Sequence, residues 1–141
     1  MDVKWTELPF GPPLLEAINV GSIDVGTVGE SPPIFAQATG ADLVYLGNEP
    51  PAPSAEAIVV PTDSPIKSVA ELKGKRVAVA KGSNANYLLT KLLPRAGLKF
   101  GDIEVRYLPP ADARAAFESG RVDACLPRAS ARVAMQCERS Q

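Results

Sequence analysis

Ala17-Ile18-Asn19-Val20-Gly21-Ser22-Ile23-Asp24-Val25 is a phrase that this chain uses twice, because Ala116-Phe117-Glu118-Ser119-Gly120-Arg121-Val122-Asp123-Ala124 follows the same pattern 99 positions later. In each copy an apolar-periodic segment ends at a glycine, and an apolar residue followed by aspartate then leads into a strand-like run. Glycine commonly ends a helix. Two strand–helix–glycine–strand units predict two similar α/β lobes, and a ligand commonly binds between such lobes.

Strand-like and helix-like segments alternate along the rest of the chain. Prolines at 12 and 13 suit the first turn of a helix, and Ser68 with Glu71 three residues later has the spacing of a capping box. The alternation predicts an α/β fold, a mostly parallel sheet with helices on its faces. The predicted strands are residues 3–8, 22–27, 43–46, 57–60, 76–80 and 104–108, and the predicted helices end at Gly21, Gly40, Gly74, Gly97 and Gly120.

The boundary between the lobes is predicted from composition. Residues 48–54 hold three prolines and form a stiff connector. We therefore assign residues 1–60 to a partial first lobe that includes a hinge strand, and residues 61–124 to a partial second lobe. Residues 125–141 form an atypical tail with three arginines and both cysteines. The tail is either a frayed terminus or a departure of the sequence from its parent.

The composition excludes several classes of function. Fifteen basic and sixteen acidic residues give a net charge of −1. The sequence therefore lacks the excess of positive charge that is typical of nucleic-acid-binding proteins. Histidine, the commonest metal ligand and the usual acid–base group near neutral pH, is absent from the sequence. Cys125 and Cys137 lack CxxC spacing. We predict no catalytic residue, no metal site and no cofactor, and hence a protein that is not an enzyme.

Neither a membrane helix nor a leader sequence is predicted. No run reaches the roughly 18 apolar residues that a membrane helix needs. Met1 is followed at once by Asp2, with neither a basic n-region nor an apolar h-region. A chain with this beginning is expected to stay in the cytoplasm if it is expressed as it stands.

Two loops are candidates for binding because each follows a strand-like run and opens a helix: Thr27-Val28-Gly29-Glu30-Ser31 and Lys81-Gly82-Ser83-Asn84-Ala85. Unpaired N–H groups and the helix dipole stabilise an oxyanion at such a position. One loop per lobe could hold a small anion from both sides. Alternatively, the glycines are ordinary turn residues and Ser31 and Ser83 are helix caps. Asp112 opens a further helix and is either its cap or a ligand contact.

Asp24 and Asp123 occupy equivalent positions in the two copies of the repeat. This equivalence favours a structural role for both carboxylates over an acid–base pair.

Three stretches of the chain resemble the aliphatic sulfonate-binding proteins of ABC importers. Residues 29–33, Gly-Glu-Ser-Pro-Pro, and residues 109–117, Pro-Pro-Ala-Asp-Ala-Arg-Ala-Ala-Phe, are fairly specific to the sulfonate group. Residues 67–75, Lys-Ser-Val-Ala-Glu-Leu-Lys-Gly-Lys, mark the wider superfamily of nitrate-, taurine- and thiamine-precursor-binding proteins. The resemblance runs from about Val3 to Ala124. Val28 and Asn86 depart from the family's pattern, in which threonine and histidine are common.

The resemblance implies a two-lobed periplasmic-binding-protein fold of type II, incomplete here. It implies capture of an alkanesulfonate between lobes that close on a hinge, and delivery to an ABC permease in the membrane, by a monomer with no nucleic-acid partner. The family's sulfonate-holding loops match the two helix-opening loops. The ligand-binding candidates are Thr27, Gly29, Glu30, Ser31, Gly82, Ser83, Asn84 and, from the third loop, Asp112.

Family members run to roughly twice this length, as two full lobes require. The resemblance therefore implies that the chain is a truncated fragment of a periplasmic transport protein. Two alternatives stay open at this point. One is a cytoplasmic small-ligand sensor domain with the same fold, and the other is a fragment without function.

Overall fold

The structure is a computed structural model, and it describes residues 2–50 and 56–127. Four α-helices and three β-strands are formed within these residues. In chain order they are α1 (Gly11–Asn19), α2 (Ser31–Ala38), β1 (Arg76–Val79), α3 (Asn84–Arg95), β2 (Glu104–Tyr107), α4 (Pro110–Glu118) and β3 (Ala124–Cys125). Short 3-10 helices cover Val69–Leu72 and Phe100–Asp102. No helix in the described part of the chain has the length and apolar character to span a membrane.

The three strands form one parallel sheet in the order β2-β1-β3. The central strand has the sequence Arg-Val-Ala-Val, and its last three residues are fully buried. Such a strand is typical of a parallel sheet that is covered on both faces. The α/β class predicted from the alternation of segments is therefore confirmed.

Successive side chains of a strand point to opposite faces of the sheet. An apolar cluster covers each face. Val77 and Val79 belong to the larger apolar cluster, in which Leu89 and Leu93 of α3 are fully buried. Ala78 lies between them in the strand and belongs to a smaller cluster on the other face. Both clusters therefore lie in residues 58–126. The smaller cluster also contains Ala113, Val122 and Cys125.

The second copy of the repeated phrase is anchored to the sheet by its aspartate. The Asp123 carboxylate accepts hydrogen bonds from the backbone N–H of Arg76 at 2.8 Å and from its guanidinium Nη2 at 2.6 Å and Nε at 3.0 Å. This pairing holds the pKa of Asp123 down at about 2. The predicted structural role of Asp123 is confirmed, whereas Asp24 is exposed and makes no ion pair within the described residues.

The helices begin and end where the sequence predicts. Pro12 and Pro13 lie in the first turn of α1, and Gly21 and Gly120, which follow the two helices of the repeat, have φ angles of 71° and 68°. This left-handed conformation carries a steric penalty for residues with a Cβ atom, which explains the repeated glycine. Ser68 and Glu71 form the predicted capping box.

Several predicted strands are wrong. Residues 3–8, 22–27 and 43–46 form no strand, and residues 57–60 contribute a single antiparallel bridge between Val59 and Cys125 in place of a hinge strand. Alternation of apolar residues permits a strand, but a strand forms only beside a partner. Within the described residues, none lies beside these first three segments.

The predicted tail begins within the apolar core, since Cys125 belongs to the smaller cluster and Leu126 to the larger one. Cys125 is part of β3, and both Cys125 and Leu126 are buried. The strand therefore continues to Cys125, one residue past Ala124, although the sequence pattern breaks there. Residues 128–141 and most of the proline-rich connector lie outside the described residues, and the division into lobes at residues 60 and 124 stays a prediction.

Candidate functional site

The two predicted loops lie against each other. The side chain of Asn84, the first residue of α3, reaches across to the loop that opens α2. Its Oδ1 accepts a hydrogen bond from the backbone N–H of Ser31 at 3.0 Å, and its Nδ2 donates to Glu30 Oε2 at 2.8 Å. Residues more than fifty positions apart are thereby joined through a single carboxamide.

Gly29 allows this close approach. A Cβ atom built at position 29 would lie within 2.7 Å of Asn84 Cγ, so any larger residue would displace the carboxamide. No steric demand of this kind is made at Gly82, where the nearest atom, Pro12 Cγ, would lie 3.3 Å away; its φ of 71° requires glycine instead. The two loop glycines therefore have different physical roles.

The first turn of α2 offers one backbone donor. It runs Ser31-Pro32-Pro33, and proline has no N–H group. Ser31 is therefore the residue of this turn that can donate to an acceptor, and its N–H points at Asn84 Oδ1. An acceptor oxygen thus occupies the position at which an anion would meet the positive end of the helix dipole.

Ser83 is the N-cap of α3. Its hydroxyl oxygen accepts from the backbone N–H of Asn86 at 3.2 Å, and the hydroxyl donates to the carbonyl of Ala80 at 2.6 Å. The Asn86 side chain in turn accepts from the N–H of Gly82 at 3.0 Å. The capping interpretation is therefore confirmed for Ser83. Ser31, in contrast, is the first residue of its helix and is buried, and Glu30 occupies the cap position without a side-chain cap.

A cavity of about 130 Å³ lies between these loops, α4 and the end of β3. Its walls are largely apolar. They are formed by Pro9, Phe10, Gly11, Val28, Gly29, Pro32, Glu56, Ala80, Ser83, Asn84, Ala85, Pro110, Ala113, Arg114, Cys125, Leu126 and Pro127.

The predicted site residues divide into three groups around this cavity. Gly29, Ser83 and Asn84 line it. Glu30 and Ser31 bind the Asn84 side chain, and Gly82 borders the same loop. Two candidates lie elsewhere, since Thr27 and Asp112 are exposed and are not among the lining residues.

Helical geometry explains the position of Asp112. Pro110, Ala113 and Arg114 line the cavity, and residues spaced by three and four positions share one face of a helix. Asp112 is two positions from both Pro110 and Arg114 and therefore lies on a different face. The same spacing could have identified Arg114 from the sequence, because Arg114 lies four residues after Pro110, the first residue of α4, and therefore shares its face of the helix.

The sequence prediction missed Arg114, Phe10 and Cys125. Arg114 brings a positive charge to the cavity and pairs with Glu118, with 2.7 Å between Nε and Oε1. Burial raises the pKa of the Cys125 thiol to about 11, so the thiol is neutral at physiological pH and does not repel an anion. Phe10 precedes α1 and adds aromatic surface to the wall.

This arrangement suits reversible binding. Asn84 and Arg114 are among the residues that line a largely apolar cavity, which fits a small organic anion with an apolar part. In residues 2–50 and 56–127, no cluster of three or more His, Cys, Asp or Glu side chains could hold a metal ion.

A sequence profile described as NMT1/THI5 like matches residues 11–140. Over 122 residues the chain is 62% identical to a putative aliphatic sulfonates-binding protein of Escherichia coli strain K12, an alignment that covers 86% of this chain and 38% of that relative.

Two solved structures resemble this one closely. The periplasmic aliphatic sulphonate binding protein SsuA from Escherichia coli is 61% identical, with a TM-score of 0.76 over 88% of this chain and 40% of that chain. The alkanesulfonate-binding protein SsuA from Xanthomonas axonopodis pv. citri, bound to MOPS, is 56% identical, with a TM-score of 0.84 over 88% of this chain and 43% of that chain. The chain spans about two fifths of the length of the relatives it matches.

Proposed function

This chain belongs to the NMT1/THI5-like family, and on that premise we propose that it forms part of a solute-binding protein that captures aliphatic sulfonates for import by an ABC transporter. The names of its relatives support the ligand class, since they bind aliphatic sulfonates or alkanesulfonates. The same relatives are binding proteins, and they support a non-enzymatic role as part of this proposal.

The contact of Asn84 with Ser31 is the observation that carries the proposal. Asn84 Oδ1 lies 3.0 Å from the one backbone nitrogen that can donate in the first turn of α2. A sulfonate oxygen is an acceptor as well, and it carries negative charge that the helix dipole stabilises further. We assign the sulfonate group to this position, between the first turn of α2 and the start of α3, where one of its oxygens replaces Asn84 Oδ1 as the acceptor of the Ser31 N–H.

The remaining candidates then have different roles. Gly29 leaves room for the Asn84 carboxamide, Ser83 and Gly82 shape the start of α3, and Glu30 orients that carboxamide through its 2.8 Å hydrogen bond. Thr27 and Asp112 take no part in the proposed site, since neither lines the cavity. The organic part of the ligand lies against apolar walls such as Val28, Pro32 and Leu126.

Delivery to a membrane permease and a periplasmic location complete the proposal. The location is supported by the Escherichia coli structure, which is of a periplasmic protein. Co-purification of the chain with the sulfonate permease of its own transport system, from detergent-solubilised membranes, tests this part. Absence of any permease subunit in the presence of ligand would argue against it.

Calorimetric titration tests the site. We expect ethanesulfonate, taurine or MOPS to bind, and sulfate and nitrate to bind more weakly because they lack an apolar part. Asn84→Asp places a carboxylate where the sulfonate oxygen belongs, and like charges about 4 Å apart repel strongly enough to weaken sulfonate binding at least about tenfold. Asn48→Asp makes the same change in an exposed segment and is the control.

The outcomes separate the function from the site. If the chain binds none of the sulfonates, the proposed function is overturned for this chain. If sulfonates bind and Asn84→Asp has the affinity of the wild type, the function stands and the position of the sulfonate is wrong. We expect the Asn48→Asp control to stay within about twofold of the wild type, since an exposed substitution far from the site changes little.

A further inference from the structure

Helix α4 brings a guanidinium to the cavity. Among the described residues that line it, Arg114 carries positive charge and Glu56 carries negative charge. Glu30 adds a second carboxylate beside the lining, through its bond to Asn84. Among the described residues that line the cavity, Arg114 is therefore the one cation that an entering anion can meet.

Arg114 has a weak partner in the structure. Its Nε donates to Glu118 Oε1 at 2.7 Å, one helical turn further along α4, and both side chains are at least half exposed. Exposed ion pairs at this spacing contribute little to stability, so the guanidinium can leave Glu118 at small cost. The pair uses Nε, and a guanidinium carries further N–H donors on its two terminal nitrogens.

We propose that Arg114 is the counter-charge that selects an anionic ligand, and that Glu118 competes with the ligand for it. This inference rests on the proposed function and adds to it a specificity-determining residue and an internal competitor. When an organic anion binds, the guanidinium exchanges the Glu118 carboxylate for the charged oxygens of the ligand. No covalent bond changes in this exchange.

The exchange predicts discrimination by charge. Paired N–H donors of a guanidinium match two oxygens of an oxyanion, and charge-assisted hydrogen bonds of this kind are stronger than those between neutral groups. The apolar walls, in contrast, contact a charged ligand and its neutral analogue equally well. The proposed ligand class is therefore an organic anion. A neutral ligand of the same shape should lose most of the binding free energy that Arg114 contributes.

Titration of four forms of the full chain with ethanesulfonate provides the test. Arg114→Gln should weaken binding roughly 10- to 100-fold, the range expected for loss of a hydrogen bond to a charged group. Glu118→Gln should strengthen binding about two- to fivefold, because it removes the competitor. The matched control is Arg106→Gln, which breaks an equally exposed pair with Glu104 at a position that does not line the cavity, and should leave the affinity unchanged.

A second ligand separates charge selection from a structural role. Ethanesulfonamide has nearly the same shape as ethanesulfonate but is neutral at pH 7. In the wild type the sulfonate should bind more tightly than the sulfonamide, and in Arg114→Gln this preference should shrink by the same factor as the sulfonate affinity. A merely structural role for Arg114 would weaken both ligands equally.

Three outcomes would overturn the inference. One is an Arg114→Gln chain that keeps the affinity of the wild type for ethanesulfonate, and another is a Glu118→Gln chain that binds more weakly. The third is equal weakening of both ligands in Arg114→Gln. A wild-type chain that binds no sulfonate would overturn the proposed function as well, and the wild-type titration alone shows that case.

Discussion

Residues 2–50 and residues 56–127 share one local pattern and fold differently. Each region carries one copy of the repeated phrase, with a helix that ends at a glycine in the left-handed conformation. In the second region the phrase continues into β3, which pairs with β1. In the first region it continues into a segment without a strand, and Trp5 remains 92% exposed.

The difference shows which parts of an α/β fold are determined by residues close together in sequence. Proline in the first turn and glycine at the end are enough to bound α1 and α2, because their effects act within a few residues. A parallel strand depends on partners that are distant in sequence. The second region supplies a central apolar strand, β1, with a neighbour on each side, and the first region supplies no such strand among the described residues.

The largest expected effect is a loss of stability when a core side chain of the second region is truncated, compared with an exposed side chain of the first region. Leu89→Ala removes a fully buried side chain of α3 and should lower the free energy of unfolding by about 3 kcal/mol, from lost burial and the cavity that remains. Leu46→Ala is the matched control, since Leu46 is 78% exposed and should change stability by less than about 0.5 kcal/mol. Urea unfolding measures both. Equal losses in the two variants would show that the first region has a core of its own.

The next effect compares the two aspartates of the repeat. Asp123→Asn removes the charge from the pair with Arg76, and we expect a loss of about 1 kcal/mol because both side chains are about one-third exposed to water. Asp24→Asn makes the same change in the exposed first copy and should leave the free energy of unfolding within about 0.5 kcal/mol of the wild type. A loss in Asp24→Asn as large as in Asp123→Asn would contradict the comparison.

The stability of the wild type should also depend on pH through Asp123. Its pKa in the folded chain is about 2, below the ordinary value of 3.8. The folded state therefore favours the charged carboxylate, and this contribution is present above pH 4 and is lost as the pH falls from 4 to 2. Asp123→Asn should lack this part of the pH dependence. The unfolding free energies of the two forms, measured in urea at several pH values, should differ less at pH 2 than at pH 5.

Much of the fold could be predicted because its signals are local. The capping box at Ser68 and Glu71, the prolines that open α1 and α2, and the glycines that follow the helices all act over a few residues. The strands at residues 3–8, 22–27 and 43–46 were wrong for the opposite reason. Their alternating or apolar residues are compatible with a strand. A strand forms, however, only where another strand lies beside it in the folded chain.

The candidate site could be predicted in part. A loop after a strand and before a helix is visible in sequence, and the two such loops do come together through Asn84. The contribution of α4 was harder to identify, because Arg114 lies one turn beyond the loop and is part of the wall only through the direction of the helix. The buried Cys125 was assigned to a tail, since the pairing of β3 with β1 cannot be read from residues 125–130 alone.

The last expected effect, about as large as that at Asp123, tests the contact between the two regions. Gly29→Ala places a methyl group against the Asn84 carboxamide and should break its bonds to Ser31 and Glu30, with a loss of about 1 kcal/mol in the free energy of unfolding. Asn84→Ala removes the same bonds and should cost about as much. The double variant should then be no less stable than either single one, because both changes remove one interaction. Gly47→Ala, in open space, is the control and should be neutral or slightly stabilising. Additive losses in the double variant would mean that the two positions act separately, and the carboxamide would then not be what joins the regions.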